Sequence, residues 1–180
     1  MQDWTIKGLL DWITEYFTEK DIDSPRLSGE LILSHILANP KAFKLAVEVL
    51  THGFKNLSID YVAAVEARGF IFGAAVAEKI GAGFVPIRKK GKLPYKCESV
   101  TYDLEYGTDT LEIHADAFEK GAKVLIVDDL LATGGTMAAA CKLVEKVGAQ
   151  IEAIVFLIEL TELGGREKLQ NYDLRTIISY

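Results

Sequence analysis

The chain has 180 residues, 49% hydrophobic and 26% charged. That length suits one domain with its own core, and that balance excludes disordered, collagen-like and low-complexity chains. Lys plus Arg is 20 and Asp plus Glu is 26, so the net charge of −6 argues against bulk electrostatic binding to nucleic acid or to an anionic membrane.

The chain begins Met1-Gln2-Asp3-Trp4, with no basic region followed by an apolar core, so no secretory signal is expected and the cytoplasm is the default compartment. Ile6, Leu9, Leu10, Ile13 and Phe17 recur at helical spacing and predict an amphipathic helix over about 4–19. Ser24-Pro25 starts a second helix running to about Leu37. Asn39-Pro40 starts a third, to about His52, with Gly53 closing it.

From Tyr61 the period changes. Tyr61–Val65, Phe84–Ile87, Val124–Val127 and Ile151–Ile158 read as buried strands, with Thr176–Ile178 a candidate fifth. Phe70–Ile80 and Gly135–Val147 read as helices. Residues 88–110 are polar and Gly-containing, with Tyr102, Leu104 and Tyr106 alternating, which suggests a hairpin or flap. Strand–helix–strand alternation predicts an α/β fold with a mainly parallel sheet flanked by helices. The longest apolar run, Ala153–Ile158, falls far short of the ~20 residues a membrane span needs. Cys97 and Cys141 are too few for a disulfide framework, and His35, His52 and His114 have no metal-ligand spacing.

Chemistry concentrates in Val124-Leu-Ile-Val-Asp128-Asp129-Leu-Leu-Ala132-Thr133-Gly134-Gly135-Thr136-Met137. It reads as a strand, two carboxylates, a small-residue turn and a helix start. Ligands of open parallel sheets bind beyond the carboxyl ends of strands, where this turn belongs. Gly134 and Gly135 let backbone N–H groups approach an anion, and the helix N-terminus adds unpaired donors. Thr133 and Thr136 offer hydroxyls. Asp128 and Asp129 would repel phosphate and suit vicinal ribose hydroxyls or a nearby Mg²⁺ instead. The alternative is a strand–turn–helix whose acids merely cap the turn. GxxxxGK[ST] is absent, which disfavours a nucleotide P-loop.

Val127-Asp-Asp-Leu-Leu-Ala-Thr-Gly-Gly-Thr-Met137 resembles the phosphoribosyl-pyrophosphate (PRPP) signature of type I phosphoribosyltransferases, and of the adenine phosphoribosyltransferases among them. Glu66-Ala-Arg-Gly-Phe-Ile-Phe-Gly73, Arg88-Lys-Lys-Gly-Lys-Leu-Pro94 with Tyr102-Asp-Leu-Glu-Tyr-Gly107, and Glu159-Leu-Thr-Glu-Leu-Gly-Gly-Arg-Glu-Lys-Leu169 agree with it in order and spacing. The resemblance covers about residues 39–180. It implies transfer of ribose 5-phosphate from PRPP to adenine with Mg²⁺, giving AMP and pyrophosphate, by a cytoplasmic homodimer. It implies that Ala132, Thr133, Gly134, Gly135 and Thr136 cradle the 5′-phosphate and that Asp128 and Asp129 take the ribose hydroxyls. It also implies that Arg68, Arg88, Lys89 and Lys92 serve the pyrophosphate. Glu105 in the flap would be the acid/base group toward the purine, and Tyr106 would cover the site. Residues 88–96 hold five of the chain's 20 cations and no acid, a local excess suited to a small polyanion.

The family's usual opening segment, which builds a hood over adenine, is missing. Instead, Trp4–Leu37 resembles the start of the helical N-terminal domain of release-factor glutamine N5-methyltransferases, without the methyltransferase domain's Asn-Pro-Pro-Tyr motif. The expectation is a chimera, with a helical segment over 1–38 and a transferase domain over 39–180. A binding module for PRPP or AMP with impaired catalysis is the alternative function.

Overall fold

The computed structural model describes residues 25–54, 57–103 and 107–179. The helix expected over 4–19 and the flap residues Glu105 and Tyr106 lie outside the described residues. Two helices come first, α1 (Pro25–Ala38) and α2 (Pro40–Leu50). Asn39 caps α2 as its sequence predicts: its Oδ1 accepts from the N–H of Lys41 at 3.0 Å and of Ala42 at 3.2 Å. Then follow β1 (Tyr61–Val65), α3 (Gly69–Ile80), β2 (Gly83–Lys89), β3 (Cys97–Asp103), β4 (Thr108–His114), β5 (Lys123–Leu131), α4 (Gly135–Lys146) and β6 (Gln150–Glu159). Two short 3-10 turns, Thr161–Leu163 and Gly165–Leu169, lead into β7 (Leu174–Ser179).

The strands form one seven-stranded sheet in the order β3-β4-β2-β1-β5-β6-β7. Pairing is parallel from β2 through β7 and antiparallel where β4 joins β2 and β3. Val62–Val65 and Val124–Val127 are buried throughout because helices cover both faces. The two-residue period sorts them. Val62, Leu125 and Val127 pack with Ile32, Leu33, Leu50 and Phe72 of the α1–α3 layer and its following turn. Ala63, Val65, Val124 and Ile126 pack with Met137, Cys141 and Leu143 on the α4 side. The fold is therefore the α/β sheet with flanking helices that the alternating pattern predicts. Among the described residues no helix is long and apolar enough to cross a membrane.

Two departures in element length matter for the site. β5 does not end at Val127: it pairs with β6 through Leu130↔Ile158 and Leu131↔Glu159, so both carboxylates are strand residues. The hairpin or flap suggested over 88–110 is a hairpin, and it runs further, with β3 paired with β4 from Cys97↔His114 to Asp103↔Thr108. Its ladder to the main sheet is short, Arg88↔Glu112 and Lys89↔Leu111, extended by the Lys90 N–H to the Thr110 carbonyl at 3.1 Å. The hairpin therefore projects from the sheet and rests on α4, where Lys146 Nζ lies 2.8 Å from Glu98 Oε2.

Gly73 sets the distance between α3 and the sheet. A Cβ there would sit 2.6 Å from Ala64 Cβ and 3.1 Å from the Phe84 ring. Overpacking of a tight core costs about 1–3 kcal/mol, which outweighs the gain in helix propensity of roughly 1 kcal/mol for most of that range. Gly73→Ala is expected to lower the melting temperature by several degrees in differential scanning calorimetry.

Candidate active site

The acids at the end of β5 point to opposite faces, as alternation requires. Asp128 lines a small pocket of ≈ 90 Å³ together with Ala132, Thr133, Gly134, Gly135 and Thr136. Leu130, Leu131, Met137 and Phe156 complete its wall. One pocket thus gathers the residues that the sequence assigned to an anion and one of the two assigned to ribose hydroxyls. A larger cleft of ≈ 520 Å³, lined by Asp60, Tyr61, Glu119 and Lys120 among others, opens at the other end of the strands. Ligand sites of open parallel sheets favour the carboxyl ends, so the smaller pocket is the better candidate despite its size.

Asp128 is crowded. Its Oδ1 accepts the Asp129 N–H at 2.9 Å, and Gly69 at the start of α3 leaves it room, since a Cβ there would be 2.5 Å away. Burial, and then the charge of Asp129 beside it, push the Asp128 carboxyl well above the usual carboxylate range. It can therefore hold a proton and donate as well as accept, which suits a sugar hydroxyl. Asp129 is 6% exposed, and its Oδ2 lies 2.5 Å from Arg68 Nε, an ion pair without hydrogen-bond alignment. Arg68 also lies 4.0 Å from Glu30 of α1.

Arg88, Lys89 and Lys92 are not free, although no acid adjoins them in sequence. Glu66, largely buried in the loop after β1, lies 2.9 Å from Lys92 Nζ and 3.5 Å from Arg88 Nη2. It also accepts the Lys89 N–H at 2.5 Å. Burial raises the Glu66 carboxyl, but Lys92 and the Lys89 N–H overcome that and hold it below its ordinary value. Lys89 Nζ pairs with Asp109 at 3.0 Å. Sequence reading missed Glu66 and Asp109 because their partners lie on other strands. It also missed Tyr102, whose hydroxyl accepts from Thr136 Oγ1 at 3.2 Å and so ties the hairpin to the Ala132–Thr136 loop.

α1 bounds the remaining side. A Cβ on Gly29 would lie 3.2 Å from Leu130 Cδ1 and 3.6 Å from Leu160 Cδ2, so the helix backbone presses on the ends of β5 and β6. The site thus has an anion loop on one side, paired cations on another, and an apolar wall closed by α1.

Residues 33–178 match the phosphoribosyl transferase domain family. An adenine phosphoribosyltransferase of Methanococcus maripaludis is 54% identical over 145 residues, covering 81% of this chain and 84% of the relative. The crystal structure of adenine phosphoribosyltransferase from Thermoanaerobacter pseudethanolicus superposes with a TM-score of 0.78 at 52% identity, covering 81% of this chain and 84% of that one. The Saccharomyces cerevisiae enzyme, complexed with an imino-altritol bisphosphate and adenine, gives 0.74 at 44% identity, covering 79% and 82%. These similarities join the geometry of the loop and its acids: the chain belongs to the adenine phosphoribosyltransferase family.

Proposed function

We propose that this protein transfers ribose 5-phosphate from PRPP to N9 of adenine, giving AMP and pyrophosphate in purine salvage. The observation that carries this reading is the single pocket that sets Asp128 beside the Ala132–Thr136 loop at the carboxyl end of β5. Backbone N–H groups and the hydroxyls of Thr133 and Thr136 suit the 5′-phosphate, with α4 beginning behind them. Asp128 suits a ribose hydroxyl. Asp129 reaches the sugar when Arg68 moves from it to the pyrophosphate. Glu66 and Asp109 hold Arg88, Lys92 and Lys89 in place until the polyanion takes them over.

In the reaction the C1′–O bond to pyrophosphate breaks and its electron pair leaves with the pyrophosphate. N9 forms the new bond to C1′, and the N9 proton passes to a base, the role given to Glu105. Tyr106 covers the site and excludes water. Among the described residues no three or more His, Cys, Asp or Glu side chains gather as a metal site. The described residues alone do not make a Mg²⁺ cage. The ion would come held chiefly by PRPP oxygens and water, as Mg²⁺ commonly binds, with Asp128 and Asp129 as the carboxylates at hand. There it would neutralise charge on the leaving group.

A homodimer and a cytoplasmic location follow the same resemblance. The resemblance of Trp4–Leu37 to release-factor methyltransferases, and the division at Asn39, are readings of where the N-terminal segment came from. The contact of Gly29 with Leu130 and Leu160 supports a role for that segment as a substitute wall on the base side.

Parallel assays with PRPP, Mg²⁺ and adenine, hypoxanthine or guanine are expected to yield nucleotide with adenine. Absence of product with every base, alongside a PRPP-dependent rise in melting temperature, would leave a binding module instead. Glu105→Ala is expected to lower kcat by about 10²–10⁴-fold, the range for a lost general acid or base, with PRPP affinity retained. Asp128→Asn has two expected effects. A carboxyl whose folded pKa is raised binds more protons in the native state, so it costs stability increasingly as pH rises from the ordinary carboxylate value towards the raised one. The amide should therefore raise the melting temperature at pH 8, each kcal/mol being worth about 2–4 °C at this size, with no gain at pH 4. It should at the same time weaken PRPP binding, measured by isothermal titration calorimetry.

A further inference from the structure

The segment Glu159–Leu169 carries charge for which the transfer reaction has no assigned use. Glu159 closes β6 and is 5% exposed. Arg166 grips it from the second 3-10 turn: Nε donates to Oε1 at 2.9 Å and Nη2 to Oε2 at 2.6 Å. Thr176 of β7 donates to the same Oε2 at 2.9 Å, and Arg166 Nη1 donates to the Leu174 carbonyl at 3.4 Å. A bidentate Arg–carboxylate pair fixes orientation as well as distance. What it fixes is the Gly164–Leu169 turn, and that turn is wedged behind the phosphate loop. A Cβ on Gly165 would run into the Ala132 carbonyl and would lie 2.9 Å from Leu131 Cδ1 and 3.0 Å from the Gly134 nitrogen.

The same turn projects Lys168 towards the loop. Its Nζ lies 4.0 Å from where a Cβ on Gly135, the first residue of α4, would sit. Arg68, Arg88, Lys89, Lys92 and Arg166 each have a carboxylate within ion-pair distance. Lys168 has no ion-pair or hydrogen-bond partner among the described residues. The loop itself offers a phosphate monoester only neutral donors, and Asp128 shares its pocket. A dianion there lacks a formal positive charge, and Lys168 is the unpaired cation beside it.

We propose that Lys168 binds the 5′-phosphate of PRPP and that the Glu159–Arg166 clamp presents it. This rests on the reading that the Ala132–Thr136 loop takes that phosphate. The Glu159–Arg166 pair acts through Lys168 and the loop and is a positioning pair.

The test uses the full chain and two competing ligands that separate the two ends of PRPP. Ribose 5-phosphate probes the 5′-phosphate side and inorganic pyrophosphate the leaving-group side. Lys168→Met is expected to raise KM for PRPP and Ki for ribose 5-phosphate about tenfold or more, the scale of a lost charged hydrogen bond. Ki for pyrophosphate, saturating kcat and melting temperature should stay near wild type, and Lys168→Arg should restore most of the loss. Arg166→Met should show the same preferential loss of ribose 5-phosphate, even if it also melts earlier. Wild-type constants in Lys168→Met, or equal losses for both ligands, would overturn the proposal. If wild-type protein binds neither PRPP nor ribose 5-phosphate, the transferase reading fails first and takes this inference with it.

Discussion

The Ala132–Thr136 loop stands where two backbones meet with no side chain between them. Gly134 has φ of 74°, a conformation open to glycine, and its missing Cβ is the space that the Gly165 carbonyl fills. Gly165 in turn leaves room for the Ala132 carbonyl. With either position occupied by a side chain, the turn after β6 would push the loop off the end of β5. The donors that face the pocket are therefore aimed from behind, by the segment that Arg166 ties to Glu159. Rigidity of this kind lets backbone N–H groups bind an anion without first being ordered.

Charge in the site is arranged as exchangeable pairs. The excess of cations at 88–96 is real in sequence, but Glu66 and Asp109 reduce it in space. Such pairing keeps long side chains in position and spares an acidic protein a cluster of repelling cations. It also changes what binding a polyanion involves. A polyanion bound there would displace carboxylates from Arg88, Lys89 and Lys92, so part of the attraction would be offset by the pairs it breaks. Arg68 is under the same constraint, between Asp129 and Glu30.

Most of the fold was legible because its signals are local. Buried apolar runs, Asn39-Pro40 and the glycines after helices mark element ends by rules that hold within a few residues, and α2, β1, β2, α4 and β6 lie where those rules put them. β5 was read too short because two charges look like a strand's end. Leu130 and Leu131 continue the alternation, and Ile158 and Glu159 supply ladder partners that sequence could not reveal. The loop residues were legible for the same local reason. Glu66 was visible within a quoted stretch, yet nothing in sequence says that a carboxylate 22 positions before Arg88 gathers that cation. Glu159 and Arg166 likewise read as motif letters until their side chains met.

α1 joins the matched domain to the residues before it. The family match begins at residue 33, inside the helix, while Gly29 and Glu30 lie before it. Ile32, Leu33 and Ile36 are buried in the same cluster as Val155 and Leu157 of β6, so the helix is a working part of the layer and cannot lift away without exposing core. Gly29 brings its backbone onto Leu130 and Leu160, and a larger residue there would open the wall by the width of its side chain. The Ala132–Thr136 loop and Asp128 thus lie inside the matched region, whereas the wall that Gly29 forms against Leu130 and Leu160 begins outside it. A change at Gly29 therefore alters the packing on Leu130 and Leu160 from outside the matched region, while the Gly134–Gly165 contact behind the loop lies wholly inside it.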